Sequence, residues 1–154
     1  GSRSETTSRA TRRTTVRFVD TNVLLYAISD DLAEAAKARI ANELLSARDL
    51  VVSAQVLQEF YVQATRPSRP GRLSHEQAAA LVSSFCRFPV QAVTTEVVLA
   101  AMLTSHRHQI SYWDAAIVEA ARVKGCVTVL SEDLNHGQSF DGIQVLNPFL
   151  EPAA

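Results

Sequence analysis

The first apolar run of the chain, Val16-Arg17-Phe18-Val19, ends at Asp20-Thr21-Asn22 and resumes at once as Val23-Leu24-Leu25-Tyr26-Ala27-Ile28. The first part suits one buried strand, and the second has helix-compatible spacing. A strand that turns directly into a helix is the start of a β-α unit, and the pattern recurs. Leu50-Val51-Val52, Val90-Gln91-Ala92-Val93 and Val127-Thr128-Val129-Leu130 read as further short strands, with helical segments between them. Strands alternating with helices imply a parallel sheet covered on both faces. The expected class is therefore α/β, a three-layer α/β/α sandwich around a central, mostly parallel sheet, with Ile143-Gln144-Val145 as its last edge strand.

Helix starts are written in side chains. Ser53 can cap a helix over 54–65, Ser111 one over 112–124 that Gly125 closes, and Ser74-His75-Glu76-Gln77 is a capping box for a helix reaching Phe85. A helix from Asp30-Asp31 to about Ala47 is expected to turn Leu32, Ala35, Ala36, Ile40 and Leu44 inward, and another spans about 95–105. The 154 residues fit one domain, placed at 16–148. The Ser-, Thr- and Arg-rich residues 1–15 read as a disordered arm opening on a Gly-Ser cloning remnant, and 149–154 as a tail. Cys86 and Cys126 sit in apolar stretches and read as buried hydrophobes, with no disulfide framework or zinc pattern. That cysteine usage makes a cytoplasmic location the expectation, and no apolar run reaches the ~18 residues of a membrane span. The five glycines form no phosphate-binding loop.

Chemistry points to acids. Asp20 ends the first strand, at the carboxyl edge where open α/β sheets bind ligands. Asp133 follows the strongest strand, with Glu132 beside it as a competitor. Asp114 takes the first slot of the apolar stripe Asp114, Ile117, Val118, Ala121, within a first helical turn that favours an anion. Glu59 lies beside the apolar stripe of its helix. Taken singly, a helix cap explains Asp20 equally well, and a surface acid explains Glu59 better. Together, four converging carboxylates would repel at about 1–4 kcal/mol per close pair. They would then raise their pKa values or hold hard cations such as Mg²⁺ or Mn²⁺. Thr21, Asn22 and Ser131 can orient a carboxylate or water in such a pocket.

The net charge of −1 announces no polyanion binder, yet all the basic residues except Lys37 and Lys124 are arginine, the better bidentate phosphate ligand. A GC-rich coding sequence gives the same bias. Arg66, Arg69 and Arg72 on one loop are the first candidates for phosphate contact, with Arg87 and Arg107 behind them. Arg9, Arg12 and Arg13 on the arm could also reach phosphate, and the aromatic Tyr112 and Trp113 stand beside Asp114.

The segment Phe18–Ala27, Glu59, the Asp114-Ala115-Ala116-Ile117 helix and Ser131-Glu132-Asp133-Leu134 resemble a PIN domain, more narrowly a VapC-type toxin of bacterial toxin–antitoxin pairs, over about 16–148. The resemblance implies a Mg²⁺- or Mn²⁺-dependent endoribonuclease that cleaves RNA by metal-activated water, usually a homodimer, silenced by a cognate antitoxin. It assigns Asp20, Glu59, Asp114 and Asp133 as catalytic and metal-binding acids. Asp141 is a further contributor to weigh, and His136 the one histidine near enough in sequence to test. The competing readings are a catalytically idle PIN-like binding module and a different Mg-dependent phosphohydrolase. An aspartyl-phosphate phosphatase wants an Asp where Asn22 stands, and a phosphoreceiver wants a lysine after a late strand, whereas Lys124 precedes it.

Overall fold

A computed structural model describes residues 16–150; the arm at 1–15 and residues 151–154 lie outside the described residues. Six strands make one sheet: β1 Arg17–Val19, β2 Leu50–Ser53, β3 Val90–Gln91, β4 Thr128–Leu130, β5 Ser139–Phe140 and β6 Ile143–Leu146. The helices are α1 Thr21–Ala27, α2 Ala35–Leu45 after a 3₁₀ turn at Leu32–Glu34, α3 Ala54–Ala64, α4 His75–Phe85, α5 Thr95–His108 and α6 Tyr112–Val123. The strand order is β3-β2-β1-β4-β6-β5, parallel throughout except for β5. The three-layer α/β/α class expected from the alternation of strands and helices is what forms.

This order decides where a ligand can bind. The chain builds outward from β1 through β2 to β3, then returns to the other side of β1 for β4 and β6. Beyond its carboxyl end β1 continues into α1 toward β2, and β4 into a loop toward β5 and β6 on the other side, leaving the crevice typical of such a switch point. Asp20 and Ser131 are the residues that follow those two strands. The ladder runs on beneath both: the Asp20 N–H donates to the Leu130 carbonyl and the Ser131 N–H to Leu146, each at 3.0 Å.

The core is one cluster on both faces of the sheet, with Phe18, Phe60 and Phe140 wholly buried. Phe60 meets Phe85 edge to face at 5.1 Å, fastening α3 to α4; truncating such a phenylalanine to alanine costs about 3–5 kcal/mol. Helix α6 is enclosed: Ala115 through Ala121 are all buried, four of them alanines that let α5 lie close along it. Among the described residues no helix is long and apolar enough to cross a membrane.

Four expectations are corrected. Ile143–Leu146 is not the edge, because β5 covers it in a hairpin turned by Asp141 (φ 51°) and Gly142 (φ 96°), the two left-handed residues a type I′ turn requires. Leu32 is 91% exposed, and Ala35 and Ala36 also face solvent. The 3₁₀ turn breaks the 3.6-residue period there, so α2 turns Ala41 and Leu45 inward instead. Cys86 is exposed, since it caps the end of α4 while Phe85 and Phe88 take the inward positions; Cys126 is buried as expected. Phe149, assigned to the tail, packs edge-on against Tyr26 at 4.9 Å.

Candidate active site

Asp20 is the N-cap of α1, and this explains how a carboxylate comes to be 5% exposed. Its Oδ1 accepts the Thr21 N–H at 2.7 Å, and its Oδ2 accepts the Ser131 hydroxyl at 2.7 Å and the Asn22 amide at 3.5 Å. All these donors are neutral. Burial pushes the Asp20 carboxyl up to about 6 against the pull of Ser131 and Thr21, and the charges of Asp133 and Glu59 add to the rise.

Ser131 ties the two strand ends together. While its hydroxyl serves Asp20, its Oγ accepts the backbone N–H groups of Asp133 (3.2 Å) and Leu134 (3.3 Å) and the Asn22 amide (3.3 Å). Asn22 Oδ1 in turn accepts the Glu132 N–H at 3.1 Å. The loop carrying Asp133 is thus fixed to the loop carrying Asp20. Glu59 is held from the other side: Thr21 Oγ1 donates to it at 2.7 Å and Gln55 Nε2 at 2.9 Å. Asp114 occupies the first turn of α6, its N–H bonded to the Ser111 cap at 3.1 Å. Burial raises its carboxyl above the usual range despite Ser111, and Asp133 and Glu59 raise it further.

Glu59 and Asp133 are therefore common neighbours of Asp20 and Asp114. None of the four acids forms an ion pair among the described residues. Equally, no three His, Cys, Asp or Glu side chains among the described residues are gathered tightly enough to be a ready metal cage. The donor set nevertheless fits a small hard cation. It is all oxygen, and Mg²⁺ keeps several waters and needs only one or two direct carboxylates.

A cavity of about 250 Å³ opens at this edge, lined by Thr21, Asn22, Tyr26, Glu59, Arg69 and Asp133 among others. Glu132 and Asp133 differ in their neighbours. Glu132 pairs with Lys37 at 2.6 Å and accepts the Tyr26 hydroxyl; these contacts hold its carboxyl below the usual range although burial alone would raise it. The Asp133 carboxylate has no such partner among the described residues.

The loop arginines divide. Arg69 lines the acid cavity, Arg72 lines a separate pocket with Tyr61 and His75, and Arg66 is exposed. Arg87 is occupied, donating to the carbonyls of Leu45 and Ser84 and lying over the Phe88 ring at 4.3 Å. Arg107 pairs with Asp141 at 3.3 Å on the β5–β6 hairpin. Asp141 thus belongs to that turn, not to the acid edge, and His136 instead accepts the Asn147 N–H at 3.0 Å. Gln55 went unnoticed in the sequence. It precedes Glu59 by four residues, hence on the same helical face, and that spacing was the signal.

The PIN domain family matches residues 17–138. No curated protein matches the sequence significantly. Among solved structures, VapC20 of Mycobacterium tuberculosis, described as a sarcin–ricin loop cleaving toxin, is 20% identical over 76% of this chain and 89% of its own, with a TM-score of 0.58. A toxin–antitoxin complex from Klebsiella pneumoniae is 17% identical, covering 86% of this chain and 97% of that one, at 0.63. DNA-bound VapBC from Salmonella typhimurium is 20% identical over 86% and 97%, at 0.60. At such identities the likeness is one of fold.

Proposed function

The chain belongs to the PIN-domain family, and on that premise we propose that it is a metal-dependent endoribonuclease, the toxin of a toxin–antitoxin pair. One observation carries the reading: a buried carboxylate at the switch point, Asp20, held by neutral donors and facing two further acids, none of them in an ion pair among the described residues. A fold that leaves such charge uncompensated has kept a place for a cation from outside. The toxin role is supported by the structural neighbours, among them a toxin and toxin–antitoxin complexes.

Asp20 and Asp114 are the carboxylates proposed to hold Mg²⁺ or Mn²⁺, with Glu59 and Asp133 completing its surroundings or orienting water. A bound divalent ion supplies Lewis acidity toward a phosphodiester and lowers the pKa of water. The protein's own groups do the rest. Ser131 and Thr21 fix the directions of the Asp20 and Glu59 carboxylates, and Asn22 holds the Asp133 loop against α1. Arg69 faces the same cavity and is the proposed contact to substrate phosphate, with Arg66 and Arg72 further along the RNA path. The cognate antitoxin and a second copy of the chain are the proposed protein partners.

The test is an RNA cleavage assay titrated with Mg²⁺ and Mn²⁺, with Asp114→Asn as control and the RNA ends sequenced. Metal-dependent cuts leaving 5′-phosphate and 3′-hydroxyl ends, absent in the variant, are the expected result. Cyclic 2′,3′-phosphate ends that persist in EDTA would falsify the metal route. The lack of a tight trio of acids among the described residues favours one rival, a catalytically idle binding module. Binding of RNA with no cleavage at any metal concentration selects it.

A further inference from the structure

A second cavity, of about 200 Å³, lies beside the acid edge where β2 and β3 end, and it is chemically unlike the first. Its walls include the amides of Gln55, Gln58 and Gln91 and the rings of Tyr112 and Trp113, and no lining residue is charged. Because β1 through β4 run parallel, this mouth opens on the same edge as Asp20. Gln55 joins the two places physically: one amide donates to Glu59 Oε1 at 2.9 Å and to the Trp113 carbonyl at 3.1 Å.

We propose that this cavity receives one splayed-out nucleobase carrying an exocyclic amine, from the strand whose phosphate lies at the acids. The inference rests on the nuclease reading and deepens it. Trp113 is 64% exposed and meets Tyr112 edge to face at 5.0 Å, presenting an indole on which a base can stack. Gln91 is 8% exposed, and its Nε2 donates to the Ala92 carbonyl at 3.0 Å, which fixes the amide's orientation. Its Oε1 accepts nothing from the described residues and is free to take an amino hydrogen. Gln58 has no side-chain hydrogen bond among the described residues and supplies a second adjustable amide. Glutamine amides read the N6 amine and N7 of adenine, whereas uracil has no exocyclic amine and offers Oε1 only its ring N3–H. The uncharged lining excludes a phosphate from the cavity itself, and its volume falls below that of drug-sized ligand sites.

Free nucleosides test this without cleavage and without phosphate repulsion by the acids. Trp113 is the only tryptophan, so a single indole N–H resonance reports on the cavity in the full chain. Adenosine and cytidine are expected to shift it saturably, with uridine at least roughly fivefold weaker. Gln58→Leu, at an exposed position, and Gln91→Met are each expected to weaken the adenosine response about tenfold and to relax the base bias next to the cut. No shift with any nucleoside, equal affinity for uridine, or an unchanged response in both variants overturns the proposal. So does a shift by leucine amide alone, which assigns the cavity to a protein side chain. The nucleoside arm is independent of cleavage, so a failed nuclease assay with an intact nucleoside response, or the reverse, separates the two failures.

Discussion

Two carboxylates in this protein are almost equally buried, Asp20 at 5% and Glu119 at 4% exposure, and their surroundings differ in kind. Glu119, inside α6, accepts the Thr104 hydroxyl at 2.9 Å and pairs with Arg122 at 2.9 Å. Arg122 goes on to donate to the Phe140 and Asp141 carbonyls, so the pair fastens α6 to the β5–β6 hairpin. Among the described residues Asp20 receives only neutral hydrogen bonds and faces more acid. A buried charge is therefore no mark of function by itself. What distinguishes the two is the compensating charge: Glu119 has one within the chain, and Asp20 has no ion-pair partner among the described residues.

Substitutions can break this contrast, and the largest effect is on activity. Asp20→Ala is expected to lower RNA cleavage at least about a hundredfold, measured with saturating Mn²⁺. Asp20→Asn should do the same while making the metal-free protein more stable at pH 7.5. A carboxyl moved from 3.8 to about 6 by folding carries a penalty of roughly 3 kcal/mol once ionised, and the amide escapes it. The sign follows from the direction of the shift. Between about pH 6 and 3.8 native Asp20 binds its proton more tightly than the unfolded chain does, so this group's contribution to stability rises as pH falls. The advantage of Asp20→Asn over wild type, read from urea midpoints, should be full above pH 6 and gone below about 4. A constant advantage across that range would remove burial of the charge as its cause.

Glu119 should behave in the opposite way. Glu119→Gln is expected to destabilise by about 2 kcal/mol, less than for a fully buried pair because Arg122 keeps some solvent, with its cleavage per folded molecule retained. A loss of specific activity in the refolded variant would erase the distinction. Added Mg²⁺ or Mn²⁺ should raise the wild-type Tm by a few degrees at pH 7.5 and leave that of Asp20→Asn almost unmoved. On metal binding the smallest effect is expected from Ser131→Ala, at about 1–3 kcal/mol of stability with a weaker metal-induced rise in Tm, since it removes the donor to Asp20 and the acceptor of the Asp133, Leu134 and Asn22 N–H groups but leaves the acids in place.

Local physics made much of this legible in one dimension. The caps at Ser53, Ser74 and Ser111 act within three residues of themselves, and all three start helices as expected. Asp20 was visible because an acid closing a buried strand violates the apolar pattern around it. The β5–β6 hairpin also had a local signal, Asp141-Gly142, but with a strand of two residues there was no alternation to frame it. Leu32 misled because a short 3₁₀ turn resets the helical period.

The sequence by itself determined that the chain is α/β, where most of its elements begin, and which acids stand at strand and helix ends, because these depend on neighbours a few residues apart. Which acids are neutralised was decided only in three dimensions. Lys37 lies 95 residues from Glu132, and Ser131 lies 111 from Asp20. Arg107 lies 34 residues from its partner Asp141. Charge compensation falls off with distance through space and is blind to separation along the chain, so it exists only once the β1–β4 switch point has brought those side chains together.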